Sequence, residues 1–111
     1  MNSSSLDPAA VALLVGCINA PGLIDSAVTM KRLSASDAQR LRTVAFTMQA
    51  EIRSGQPGSY NASDAALLAR FGQGLLKDAV TPGQDAASIG PLANWGSALS
   101  VLATAVRQRS S

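Results

Sequence analysis

Hydrophobic positions recur along this 111-residue chain at helical spacing, and helix start and stop signals punctuate them at regular intervals. Asp7-Pro8 forms an N-cap followed by proline at the first helical position. Residues 9–18 behind it are apolar almost all round, which predicts a buried helix ended by Asn19-Ala20-Pro21-Gly22. A second, short helix is expected from residue 23 to about 33. It carries Leu23, Ile24, Ala27 and Val28 and ends in Lys31-Arg32, where positive charge complements the helix dipole.

Ser34-Ala35-Ser36-Asp37 reads as a variant capping box, with the acid three residues after the serine. The helix it opens runs to about Arg53, with Ala38, Leu41, Ala45, Met48 and Ile52 on one face and Val44 and Phe46 widening it. Residues 54–59, Ser-Gly-Gln-Pro-Gly-Ser, form the clearest loop. Asn61-Ala62-Ser63-Asp64 repeats the cap pattern, and the helix behind it reaches about Val80 through Leu67, Leu68, Phe71, Leu75, Leu76 and Ala79. Thr81-Pro82-Gly83 breaks that helix, residues 83–89 read as a loop or single turn, and Gly90-Pro91 opens a last helix to about Gln108. The Ala-Ser-Asp-Ala shared by residues 35–38 and 62–65 reflects two similar caps rather than a duplicated unit, because the residues behind it do not align.

Strand alternation is absent, and β-branched and aromatic residues are sparse. The expected fold is therefore all-α, a compact bundle of four to five short helices with antiparallel neighbours across the short connections. The expected organisation is a disordered N-terminus over residues 1–6 and a single helical domain over residues 7–109. With only 4% aromatic residues, the core falls to Leu, Val, Ile, Ala and Met.

Composition adds exclusions. Charged residues make up 14% of the chain, against about 25% in an average domain. A surface this poor in charge is either unusually neutral or partly covered by another chain, and the second reading suggests self-association or a dedicated protein partner. The formal charge of +2 rests on a two-residue excess and implies neither nucleic acid nor membrane by itself. There is no histidine, which removes the commonest general base and metal ligand. The single cysteine, Cys17, permits neither an intramolecular disulfide nor a zinc cluster, and its apolar helix predicts an inert thiol. Of the acids, Asp7, Asp37 and Asp64 are explained as caps, and no carboxylate pair is spaced for acid–base work. Phosphate-loop and Ser-x-x-Lys motifs are missing. No catalytic residue, metal or cofactor is expected.

Leu14-Val15-Gly16-Cys17 resembles a bacterial lipoprotein processing box, but residues 1–13 lack the basic n-region of a leader and include Asp7-Pro8. The expectation is a buried helical cysteine and a cytoplasmic protein, with a lipid anchor at Cys17 or leaderless secretion as minor alternatives. The alanine-rich, lysine-poor composition has a bacterial character. Residues 86–106 carry no charge, yet Pro91, Asn94, Ser97, Ser100 and Thr104 make them too polar for an expected membrane span.

Two surfaces stand out as candidates. In the last helix, Leu92, Trp95, Leu99, Leu102 and Val106 form a seam at 3, 4, 3, 4 spacing, while Ala93, Gly96, Ser100, Ala103 and Thr104 collect on another face. The reading favoured is one face on the chain's own core and the other on a second chain. The candidate protein interface is Leu92, Trp95, Gly96, Leu99, Ser100, Leu102, Ala103 and Val106, and the function that follows is a non-enzymatic protein-interaction module, an adaptor, chaperone-like factor or assembly subunit. Within that helix Trp95, the chain's single tryptophan, reads first as a core anchor. The alternative function is nucleic-acid binding through a basic patch of Lys31, Arg32, Arg40 and Arg42 at the junction of the second and third helices. Finally, Phe71-Gly72-Gln73-Gly74 places two glycines inside a helical pattern, read as a close crossing or kink, or as a hinge or groove floor.

Overall fold

The computed structural model describes residues 6–83 and 86–110, the side chains of 86–88 and 110 excepted. Among these residues the chain is all-helical, with five helices: α1 (Pro8–Asn19), α2 (Leu23–Thr29), α3 (Ala35–Ser54), α4 (Ala62–Ala79) and α5 (Ala86–Ser110). The four long helices form a ring in which α1 and α4 each pack on both α3 and α5, and α2 is a short link beside α1 and α3. Across the diagonals, α1 and α4 have no Cα atoms within 8 Å of each other, nor do α3 and α5. The radius of gyration is 13.7 Å, close to the ~13 Å of a folded chain this long.

The helix starts follow from side-chain caps. Asp7 accepts a hydrogen bond from the Ala9 amide at 3.0 Å, and Ser34 Oγ accepts from the Asp37 amide at 2.9 Å. Asn61 and Asp64 close a full capping box, each side chain accepting from the other's backbone amide at 3.0 Å. Gly55 ends α3 in the left-handed conformation at φ 77°.

Two boundaries differ from the sequence reading. The second helix stops at Thr29 rather than near Leu33, because Lys31 takes a left-handed φ of 62° and the Arg32 amide donates back to the Ala27 carbonyl. That turn swings Leu33 into the core, where it is buried. The last helix begins at Ala86, so Pro91 lies inside it rather than at its start. Proline leaves one backbone acceptor in the preceding turn without its helical donor, which is tolerated near a helix end. Residues 1–5 of the expected disordered tail lie outside the described residues, whereas Leu6 is buried against the core.

The tightest contact is between α4 and α5, and glycine permits it. A Cβ on Gly96 would stand 2.6 Å from Leu76 Cγ and 2.8 Å from the Gly72 carbonyl oxygen. A Cβ on Gly72 would stand 3.0 Å from the Gly96 carbonyl oxygen. The two backbones touch directly. Gly74, two residues on, faces open space with nothing within 4 Å of a Cβ built there. Gly96→Ala is thus expected to destabilise the fold by about 1–3 kcal/mol through overpacking, whereas Gly74→Ala gains up to ~1 kcal/mol of helix propensity. Urea unfolding midpoints check the opposite signs; a stabilising Gly96→Ala would contradict the crossing.

Candidate interaction surface

The crossing decides what α5 can offer. Of the eight residues expected to form an interface, Leu92, Gly96, Leu99, Leu102, Ala103 and Val106 are buried within the chain's own core. Ser100 is half-buried, with its hydroxyl donating to the Gly96 carbonyl. The large-residue seam, apart from half-buried Trp95, and Gly96 and Ala103 of the small-residue face are enclosed, because in the ring α5 is flanked by α1 on one side and α4 on the other; Thr104 stays exposed. This corrects the expectation that one face of the last helix awaits another chain. Trp95 is half-buried, its indole nitrogen 3.9 Å from where a Cβ on Gly16 would lie, which places it over the α1–α5 seam. By length and composition Ile89–Arg109 could cross a membrane, but its apolar side is already enclosed and its outer ridge is Asn94, Ser97, Val101 and Thr104.

The basic patch is not assembled either. Arg32 pairs with Asp78 on α4, and Arg40 forms a bidentate pair with Asp64, both contacts at 2.7 Å. Arg42 turns the other way, 3.9 Å from Asp25 on α2. Positions 40 and 42 lie ~200° apart on a helix, so they cannot share a face. Lys31 is exposed on the turn before α3.

Buried polar chemistry is committed to structure. Asp64 is 1% exposed, and Arg40 together with the Asn61 amide holds its carboxyl below the usual range against the opposing effect of burial. Glu51, at 4% exposure, accepts from both Arg109 guanidinium nitrogens at 2.6 Å, from the Gly58 amide at 2.7 Å and from the Tyr60 hydroxyl at 3.2 Å. Arg109 also lies 5.7 Å from the centre of the Tyr60 ring. This cluster ties the end of α5 to the end of α3, and burial followed by the Glu51 charge pushes the Tyr60 hydroxyl up. Nothing in the sequence spacing announces it, since Glu51 and Arg109 are 58 positions apart. Cys17 is fully buried, and desolvation pushes its thiol up to about 12. Among the described residues, no three His, Cys, Asp or Glu side chains gather as a metal site would require.

The unclaimed surface is centred on α1. Its outer stripe, Ala9, Ala12, Gly16 and Asn19, is exposed and uncharged. On the α3 side, Phe46 is 72% exposed. It borders a crevice of about 130 Å³ between α1 and α3, with Val15 and Ile18 on the opposite wall. Phe46 therefore does not widen the core face of α3, as the sequence pattern suggests. It lies ~200° round the helix from both Val44 and Met48, which are buried, and it points outward. On the α5 side, Leu13 is 37% exposed and Trp95 half-buried. No protein family, curated protein or solved structure matches the chain.

The two arginines of α3 are expected to separate in a stability assay. Arg40→Gln strands the buried Asp64 carboxylate and should cost about 2–3 kcal/mol, below the 3–5 of a wholly buried pair because the Arg40 side chain is 40% exposed. Arg42→Gln should stay within ~0.5 kcal/mol. A carboxylate depressed in the folded state stabilises it above the unfolded value of ~3.9 and loses that contribution as pH falls through the folded value. Asp64→Asn should accordingly flatten the acid limb of the stability–pH curve.

Proposed function

We propose that this chain is a non-enzymatic helical module that works by binding protein, and that its docking surface is the uncharged face centred on α1. The observation that carries this reading is Phe46. An aromatic side chain left 72% exposed beside half-buried Val15 and Ile18 keeps a large apolar area in water. Burying it against a partner would release that area at roughly 25 cal/mol per Å². Aromatic residues are also over-represented among the few side chains that dominate binding energy.

The surroundings support the same reading. No ionisable residue other than Cys17 occurs between Asp7 and Asp25, so the charge a partner would meet beside Phe46 is that of Arg42, which lines the same crevice 3.9 Å from Asp25. The Leu13 and Trp95 flank extends the apolar area toward α5. The two buried carboxylates are tied to arginines, and the thiol is buried and protonated.

Phe46→Asp tests the proposal, because position 46 is exposed and the substitution should leave helicity and unfolding midpoint nearly unchanged. Expected is loss of self-association in sedimentation, or loss of a specific protein captured from the native host, by at least tenfold relative to the unaltered chain. Unchanged association in a folded Phe46→Asp variant would overturn it, as would a strictly monomeric protein that captures nothing dependent on Phe46.

A further inference from the structure

The α1-centred face carries a projecting ring and a hollow side by side. The ring is Phe46, 72% exposed on α3. The hollow is the crevice of about 130 Å³ beside it, lined by half-buried Val15 and Ile18 of α1 and buried Ala45 of α3, with Phe46 itself on the rim. Its volume suits one aromatic ring, since an apolar cavity of ~150 Å³ takes up benzene.

The chain presents one such ring to its surroundings. Phe71 is 7% exposed, the Tyr60 hydroxyl is tied to Glu51, and half-buried Trp95 lies over the α1–α5 seam on the other flank of α1. Phe46 borders its own crevice without filling it. A two-fold axis passing between ring and crevice exchanges them, so that each Phe46 enters the crevice of the other copy. One patch then serves both sides of the contact, as a closed two-fold dimer requires. Because Phe46 is also the rim of the crevice, the two rings meet, in the offset or edge-to-face contact that aromatic pairs prefer.

Charge selects a second copy over a charged partner. Close to a two-fold axis each residue faces its own copy, so any charge there meets a like charge. The outer stripe of α1 has none, and its Ala9, Ala12 and Gly16 are small enough for close approach. The charges beside the crevice are Arg42 and Asp25, opposite in sign and 3.9 Å apart, with the Asp25 side chain 87% exposed. They cancel, and two copies meet there without net repulsion. Arg53, the next charge along the same stripe of α3, is seven residues or ~10 Å of helix beyond Phe46. A strongly acidic or basic partner would find no excess charge on this patch to neutralise.

We infer that the chain forms a two-fold dimer in which Phe46 of each copy fills the crevice between α1 and α3 of the other. This rests on the reading of the α1-centred face as a docking surface and names its occupant. Sedimentation equilibrium of the full chain, from micromolar to millimolar concentration, tests it. Expected is a reversible monomer–dimer equilibrium with no larger species, because a two-fold contact closes on itself. Phe46→Ala removes the ring, and Gln49→Trp places an indole at the crevice, which Gln49 lines. Each should weaken dimerisation at least tenfold while helicity by circular dichroism and the unfolding midpoint stay nearly unchanged. An equimolar mixture of the two variants should form a mixed dimer severalfold tighter than either alone, since one keeps its ring and the other its crevice. Undiminished dimerisation of folded Phe46→Ala, or the absence of a mixed dimer, would overturn the inference. So would a chain that is monomeric at every concentration; if that monomer still captures a host protein through Phe46, the docking surface stands and its occupant is a different protein.

Discussion

The direct contact of two helix backbones, α4 at Gly72 and α5 at Gly96, is the constraint from which the rest of the molecule follows. Side chains of ordinary size would hold these helices apart; without Cβ atoms there, each glycine's carbonyl oxygen sits where it would crowd the other's Cβ. This closeness draws α5 into the ring against α1 as well, so a helix with no charge over residues 86–106 becomes the core of a single small chain. The rest of a 111-residue chain suffices to enclose it because the glycine crossing shrinks the space to be filled.

Charge in this protein is an internal fastener. Among the described residues, five acids each meet an arginine, and two of those acids, Glu51 and Asp64, are buried. The Asp64–Arg40 pair locks the start of α4 to α3, and the Glu51–Arg109 pair locks the end of α5 to α3 across the ring's diagonal. Basic residues that look clustered in sequence are dispersed by these pairings. What is left outside is an uncharged α1 face with Phe46 at its margin.

Local signals are legible in the sequence because they act locally. Asp7, Ser34 and Asn61 cap their helices through atoms two or three residues away, and the three- and four-residue spacing of apolar positions in α3 and α4 finds Leu41, Met48, Leu68 and Leu75 in the core. Periodicity does not say whether the two faces of α5 meet one chain or two, since an enclosed helix and a shared one carry the same pattern. It also misplaces Phe46, whose apolar character implies burial although its angle on the helix lies away from Leu41 and Met48. The Glu51–Arg109 contact and the separate roles of Gly72 and Gly74 depend on tertiary neighbours that spacing does not encode.

The α1-centred face, and not the α4 side of the ring, is the proposed place of protein contact. Site-specific photo-crosslinking in the native host measures this most directly, with benzoylphenylalanine placed at Phe46 and, as a control on exposed α4, at Gln73. The account predicts a discrete protein adduct from position 46 and none from position 73. Adducts from position 73 with none from position 46 would contradict it.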